Sequence, residues 1–141
     1  DNSSFKESNF IDFNSYDLSG RTFVNEHGIT YFLRFVDCND YRTDVNFGYN
    51  YIGTDFANGE EDFDKLWEAL DNEFYALLDN MTLVVDGEEY SSVQASSTWC
   101  DAKGEIGPEN QCYIEAEYPS ISFEASTHIS LVYNGTEIVI K

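Results

Sequence analysis

The side chains that could do chemistry in this sequence are mostly carboxylates. Asp and Glu number 27 against seven Lys and Arg, a net charge of −20 at neutral pH. Two acidic sets are dense enough to offer hard oxygen ligands to calcium: Glu60, Glu61, Asp62 and Asp64, and Asp37, Asp40 and Asp44. The first set does not fit an EF-hand frame. With Gly59 at the sixth position the loop would begin at Thr54 and end at Lys65, where a bidentate carboxylate is needed. Solvated acidic faces are the expectation for both sets, with calcium the one candidate cofactor. A chelator-dependent melting midpoint would be its signature.

Nucleophile and base chemistry finds less. His27 and His128 fall in different elements, each expected at a surface or strand end. There is no Gly-x-Ser-x-Gly elbow, no phosphate-cradling glycine loop and no His-Glu-x-x-His. Among this many carboxylates, a catalytic pair can be drawn anywhere and means nothing without geometry. The expectation is a protein that is not an enzyme and has no catalytic residues.

Three cysteines are present. Cys100 and Cys112 flank a loop-like stretch, DAKGEIGPENQ, and are the expected disulfide; closing so short a loop contributes about 3 kcal/mol in the chain-entropy model. Cys38 is left over, expected as a buried small hydrophobe or as the donor of an intermolecular bond. No Cys-x-x-Cys occurs, which excludes a zinc ribbon or thioredoxin-type motif. Asn2, Asn80 and Asn134 each open an Asn-x-Ser/Thr sequon, a candidate glycosylation site in a secreted chain.

The charge constrains partners. A field of this sign repels phosphate backbones and anionic lipid, so nucleic-acid binding is not expected. No run of about 18 apolar residues occurs, so no transmembrane segment is expected either. Asp1 rather than Met opens the chain: either a signal peptide has been removed or the sequence starts inside a longer one.

The elements that must position these groups read as mostly β. The last fourteen residues, HISLVY-NG-TEIVIK, hold two alternating runs joined by Asn134-Gly135, the strongest short-range hairpin signal. Loop length fixes the register: Tyr133 opposite Thr136, Leu131 opposite Ile138, Ile129 opposite Ile140. Ser130, Val132, Glu137 and Val139 then share the other face. Asp86-Gly87 is a second such turn and places Leu83 opposite Tyr90. Residues 29–37 (ITYFLRFVD), apolar on nearly both faces, suit a central strand. Residues 44–52 alternate Val45, Phe47, Tyr49 and Tyr51 against Asn46, Gly48 and Asn50, the pattern of a half-buried antiparallel strand. Residues 111–118 alternate Cys112, Ile114, Ala116 and Tyr118 inward against Tyr113, Glu115 and Glu117 outward. Residues 91–98 are small and polar, a loop or edge.

One amphipathic helix is expected over about 58–79, capped by Asn58 and Glu61, with an apolar stripe through Phe63, Leu66, Trp67, Leu70, Phe74, Leu77 and Leu78. Residues 1–15 have no clean period. They are expected as an N-terminal arm or tether, with Phe5, Phe10, Ile11 and Phe13 as the side chains that would seat it on a sheet edge. Residues 16–141 then form a single antiparallel immunoglobulin-like β-sandwich of about 7–9 strands with a helical insertion. A chain of this length buries roughly 68% of its extended surface, enough for one real core.

Three blocks carry a resemblance: NMTLVVDGEEYSS (80–92), IGPENQCYIEAEYPSISFEA (106–125) and ISLVYNGTEIVIK (129–141). Together they resemble the immunoglobulin-like, telokin-like domain of Gram-positive cell-envelope lipoproteins. That family follows an Asp-Gly hairpin strand with a Pro-centred turn, a strand and a closing strand. This chain departs from it at Glu109 and Ser126, where the family usually has Gly and Pro. The resemblance implies an exported binding or structural module and brings no catalytic residues.

The expected function is therefore a secreted or surface-displayed, non-catalytic module. It would bind another macromolecule, or assemble with itself into a filament or surface layer, by edge-strand addition. The alternative is a small extracellular glycan-binding protein, enzyme or inhibitor with Trp67 or Trp99 stacking on sugars, although both tryptophans are expected in the core.

Overall fold

Two tight turns anchor the fold. In the computed structural model, which describes residues 8–13, 20–50, 63–98 and 113–141, Asp86 and Asn134 have φ of 50° and 46°, each followed by a glycine at 85°. Positive φ at both central residues is what a type I′ hairpin turn requires. The hairpins they close are β5 (Met81–Val85) with β6 (Glu88–Ser91), and β9 (Ile129–Tyr133) with β10 (Thr136–Val139). Their registers match the sequence reading: Leu83 opposite Tyr90, Leu131 opposite Ile138, Tyr133 opposite Thr136. Ile140 lies beyond the last paired residue of β10 and its N–H donates to the Ile129 carbonyl. The hairpins join through β9 and β5 into a four-stranded antiparallel sheet, β10-β9-β5-β6.

The second sheet has six strands: β1 (Ser8–Asp12), β2 (Thr22–Val24), β3 (Thr30–Asn39), β4 (Thr43–Asn50), β7 (Gln94–Thr98) and β8 (Tyr113–Tyr118). Its order is β1-β3-β4-β8-β7, with β2 beside β3 and all pairs antiparallel. β3 is central, as its doubly apolar run predicts. β1 and β2 lie end to end along its far side and share it at a β-bulge between Leu33 and Phe35. There the Phe13 N–H donates to the Arg34 carbonyl and the Leu33 N–H to that of Arg21. Ten strands are thus described, above the seven to nine expected. The arm contributes β1, and residues 94–98, read as a loop or edge, form an edge strand.

The two sheets enclose one core, a generic β-sandwich. Phe23, Tyr31, Leu33, Val45, Phe47, Ile114 and Ala116 come from the larger sheet, and Met81, Leu83, Ile129, Leu131 and Ile138 from the smaller. Two contacts cross between them: the Phe23 and Tyr133 rings at 5.1 Å, and the Tyr118 hydroxyl donating to the Met81 carbonyl at 3.2 Å. Helix α1 is described from Phe63 to Asp79; residues 58–62 lie outside the described residues. Phe74, Leu77 and Leu78 are buried, with the Phe74 ring 4.9 Å from Tyr49 and 6.4 Å from Tyr31. The stripe is therefore core, not an exposed docking face, along this part of the helix. The elements nearest it are β7 and β5. Asn80 ends it, its side chain donating to the Ala76 carbonyl.

One expectation is overturned. β4 is buried on both faces, since Asn46 and Gly48 are buried along with Val45, Phe47 and Tyr49. The Phe32 ring lies over Gly48, and Asp44 and Asn46 are screened by neighbouring polar side chains. Ser130, expected on the solvent face of β9, is likewise fully buried; it sits at a register position between Val84 and Val139.

Candidate interaction edge and acidic face

The sandwich has four lateral edges, and three carry charge. Edge strand β6 presents the exposed pair Glu88 and Glu89, β10 the exposed Glu137, and β1 the exposed Asp12. Charged residues on an edge discourage pairing with another chain. β7 reads Gln-Ala-Ser-Ser-Thr, with no charge and no proline, and is preceded by Val93, 68% exposed. It pairs with β8 on one side, and no described strand lies on the other. Its far backbone groups are the ones suited to accept an incoming strand.

Register places an acidic face beside that edge. Val36, Val45 and Ala116 form one cross-strand row in the core, so the rows on either side point outward. One outward row runs Phe10–Asp37–Asp44–Glu117–Gln94 from β1 to β7; the next runs Asp12–Phe35–Asn46–Glu115–Ser96. Five carboxylates thus share one face, three of them directly opposite one another. Like charges opposed across strands destabilise a sheet. Arg42, from the β3–β4 turn, offsets part of this. Its Nε meets both Asp44 oxygens at 2.9 and 3.0 Å and lies 3.9 Å from Glu117. The hydrogen bond to Asp44, then the charges of Asp44 and Glu117, push the guanidinium still further above its ordinary range. Asn46 donates to Glu115 at 3.2 Å, and its Oδ1, on a side chain 1% exposed, meets no donor among the described residues. Arg34, carried by the bulge, lies 5.3 Å over the Tyr113 ring.

A second polar cluster pins the helix. Asn25 Nδ2 donates to Glu73 Oε2 at 2.6 Å, and His27 Nδ1 lies 2.5 Å from Glu73 Oε1. Asn25 Oδ1 in turn accepts the backbone N–H groups of His27 and Ile29, which shapes the turn between β2 and β3. Sequence reasoning missed this clamp, because its halves are 48 residues apart. In the sequence His27-Gly28 marks a turn, but nothing marks Glu73 as its partner. Burial, then the charge of Glu73, drives the nearby Tyr31 phenol far above its usual range. Glu73→Ala should destabilise the fold by about 1–3 kcal/mol, since it leaves the buried Asn25 amide without its acceptor. Urea unfolding would measure this; an unchanged midpoint would show that the apolar stripe alone holds the helix.

The other expected site residues fall as follows. Phe10 is 58% exposed and its ring lies 5.0 Å from Phe35, while Ile11 and Phe13 are partly buried against the core. Phe5, Asn2, Cys100, Cys112, Trp99, Glu60, Glu61 and Asp62 lie outside the described residues. Cys38 is buried. Asn134 is exposed at its turn tip, and Asn80 is exposed with its amide engaged on the helix end. Asp37 and Asp44 are cross-strand partners and Asp40 is exposed at the bend beyond β3. Among the described residues, no three His, Cys, Asp or Glu side chains are placed to hold a metal ion, and no helix is long and apolar enough to cross a membrane. His27 is held by Glu73, whereas His128 Nε2 lies 3.6 Å from Glu137. Asp86 does architectural work, accepting the N–H groups of Thr127 and His128, and those bonds lower its carboxyl pKa. No family model, no curated protein and no solved structure matches this chain.

Proposed function

We propose that this chain is a secreted or surface-displayed, non-catalytic immunoglobulin-like module that binds another macromolecule by strand addition at β7. The observation that carries this reading is the contrast among the edges: β1, β6 and β10 carry carboxylates, β2 is uncharged but only three residues long, and β7, at the end of the larger sheet, is a five-residue edge strand without a charged residue. The immunoglobulin-like assignment draws on the two antiparallel sheets and on the resemblance of residues 80–92, 106–125 and 129–141. Binding to a different partner is favoured over self-assembly because every copy carries −20, so two approaching copies repel at low salt.

Hydrogen exchange combined with mass photometry tests the proposal. The isolated protein is expected as a monomer in which part of the 94–98 backbone exchanges faster than β4, and that backbone becomes protected when a strand-forming partner binds. Filaments formed by the protein alone, or edge amides as protected as those of β4 in the monomer, would overturn it.

A further inference from the structure

The acidic rows end at β7, beyond which no described strand lies, and their spacing specifies what an added strand must carry. In any strand laid against β7, alternate residues share the outward face and take positions beside Gln94 and Ser96. Directly across β7 from those positions stand Glu117 and Glu115. The distance from an added strand to β8 is two strand spacings, roughly 10 Å. A Lys or Arg stem and a Glu stem together span it, passing beside the exposed Gln94. The next outward position falls in the row of Thr98 and the half-buried Tyr113.

We infer that the β7 edge selects a partner strand with Lys or Arg at two successive outward positions, i and i+2, whose cationic heads reach Glu117 and Glu115. The inference rests on the strand-addition reading above and names the partner's chemistry. Charge complementarity supports it: among the described residues the outward face holds five carboxylates against two guanidiniums, Arg34 and Arg42, and Arg42 is already committed to Asp44. The Glu117 side chain, 26% exposed, is open to such a contact. Opposed carboxylates that cost the free sheet stability become an asset once a cationic strand lies beside them.

The test uses three fluorescent ten-residue peptides of Thr and Val. One has two Lys at alternate positions, one has the same two Lys adjacent, and one has Glu in place of Lys. Anisotropy titrations with the native protein should show the alternate-Lys peptide binding about tenfold more tightly than the adjacent-Lys isomer, the value of two partly exposed ion pairs. A Glu115→Gln, Glu117→Gln variant should lose that preference while melting no earlier than the native protein, and Glu117→Lys should shift preference toward the Glu peptide. Equal binding of the two Lys isomers, or a preference that survives in the double variant, would overturn the inference. Hydrogen exchange separates the two levels. Protection of residues 94–98 by every peptide without Lys selectivity leaves strand addition standing and removes the cationic rule. Protection by none removes both.

Discussion

Replacing Gly48 by alanine is expected to destabilise the domain by about 1–3 kcal/mol, and replacing it by valine by more. β-propensity argues the opposite, since glycine weakens a strand interior and valine is among the best strand formers. The structure decides between them. Gly48 stands directly opposite Phe32 across β3 and β4, and the Phe32 ring folds over it. A Cβ on Gly48 would sit 2.2, 2.5 and 2.9 Å from three ring carbons. The ring tip is the flexible end of that side chain, but Phe32 is only 2% exposed, so the ring cannot swing aside without losing its buried contacts. The two positions should therefore couple. Phe32→Ala alone should cost about 3–5 kcal/mol through loss of burial and the cavity left behind. In that background Gly48→Ala should be close to neutral, because the clash is gone and a methyl group refills part of the space. A double-mutant cycle by urea unfolding measures the coupling. Additive costs, or a neutral Gly48→Ala in the native background, would mean that the ring does not hold its place over the glycine.

That glycine also shows where the sequence stops being legible. In the run Val45-Asn46-Phe47-Gly48-Tyr49 the alternation is clean, and alternation ordinarily means one wet face. The second face of β4 is buried by residues outside it: Phe32 of β3, Arg42 of the β3–β4 turn and Glu115 of β8. No local pattern announces such cover. Turns behave in the opposite way. Asp86-Gly87 and Asn134-Gly135 encode their own φ values, and two-residue loops leave one register, so both hairpins were readable residue by residue. The N-terminal residues lie between these cases. Phe10, Ile11 and Phe13 have no period of their own because β1 is short and is completed by β3. As for the candidate site, Glu115 and Glu117 were legible as outward residues. Their alignment with Asp37, Asp44 and the β7 edge was not, since it depends on the pairing of five strands separated by long stretches of chain.

Alkali should unfold this protein unusually steeply, and two tyrosines should account for most of the effect. Tyr31 and Tyr118 are both fully buried. Burial, aided for Tyr31 by the charge of Glu73, drives both phenols far above the ordinary value of 10.0. In the unfolded chain each loses its proton near that ordinary value, while in the folded chain each keeps it. Above about pH 10 the native state therefore holds two more protons than the unfolded state, and stability falls as pH rises, by about 1.4 kcal/mol per pH unit for each tyrosine. The loss continues until the folded-state values are reached; below pH 10 neither tyrosine contributes a slope. Two such groups remove roughly 3 kcal/mol per unit, against a total stability of about 5–15 kcal/mol for a domain, so unfolding should be complete within a few units above pH 10. The two phenols differ in what they give back at neutral pH. The Tyr118 hydroxyl donates to the Met81 carbonyl between the sheets, so Tyr118→Phe should cost about 1 kcal/mol there. The Tyr31 hydroxyl is buried with no hydrogen-bond partner among the described residues, so Tyr31→Phe should be neutral or stabilising. Each variant should halve the alkaline slope, and the double variant should remove most of it, with urea midpoints across about pH 9 to 12 as the measurement. If the double variant loses stability with pH as fast as the native protein, other groups govern the alkaline transition. Tyr133, raised first by its burial, and Tyr90, raised first by its hydrogen bond with Glu88, would be the first suspects, followed by the loss of lysine positive charge, which deepens the repulsion of a chain already at −20.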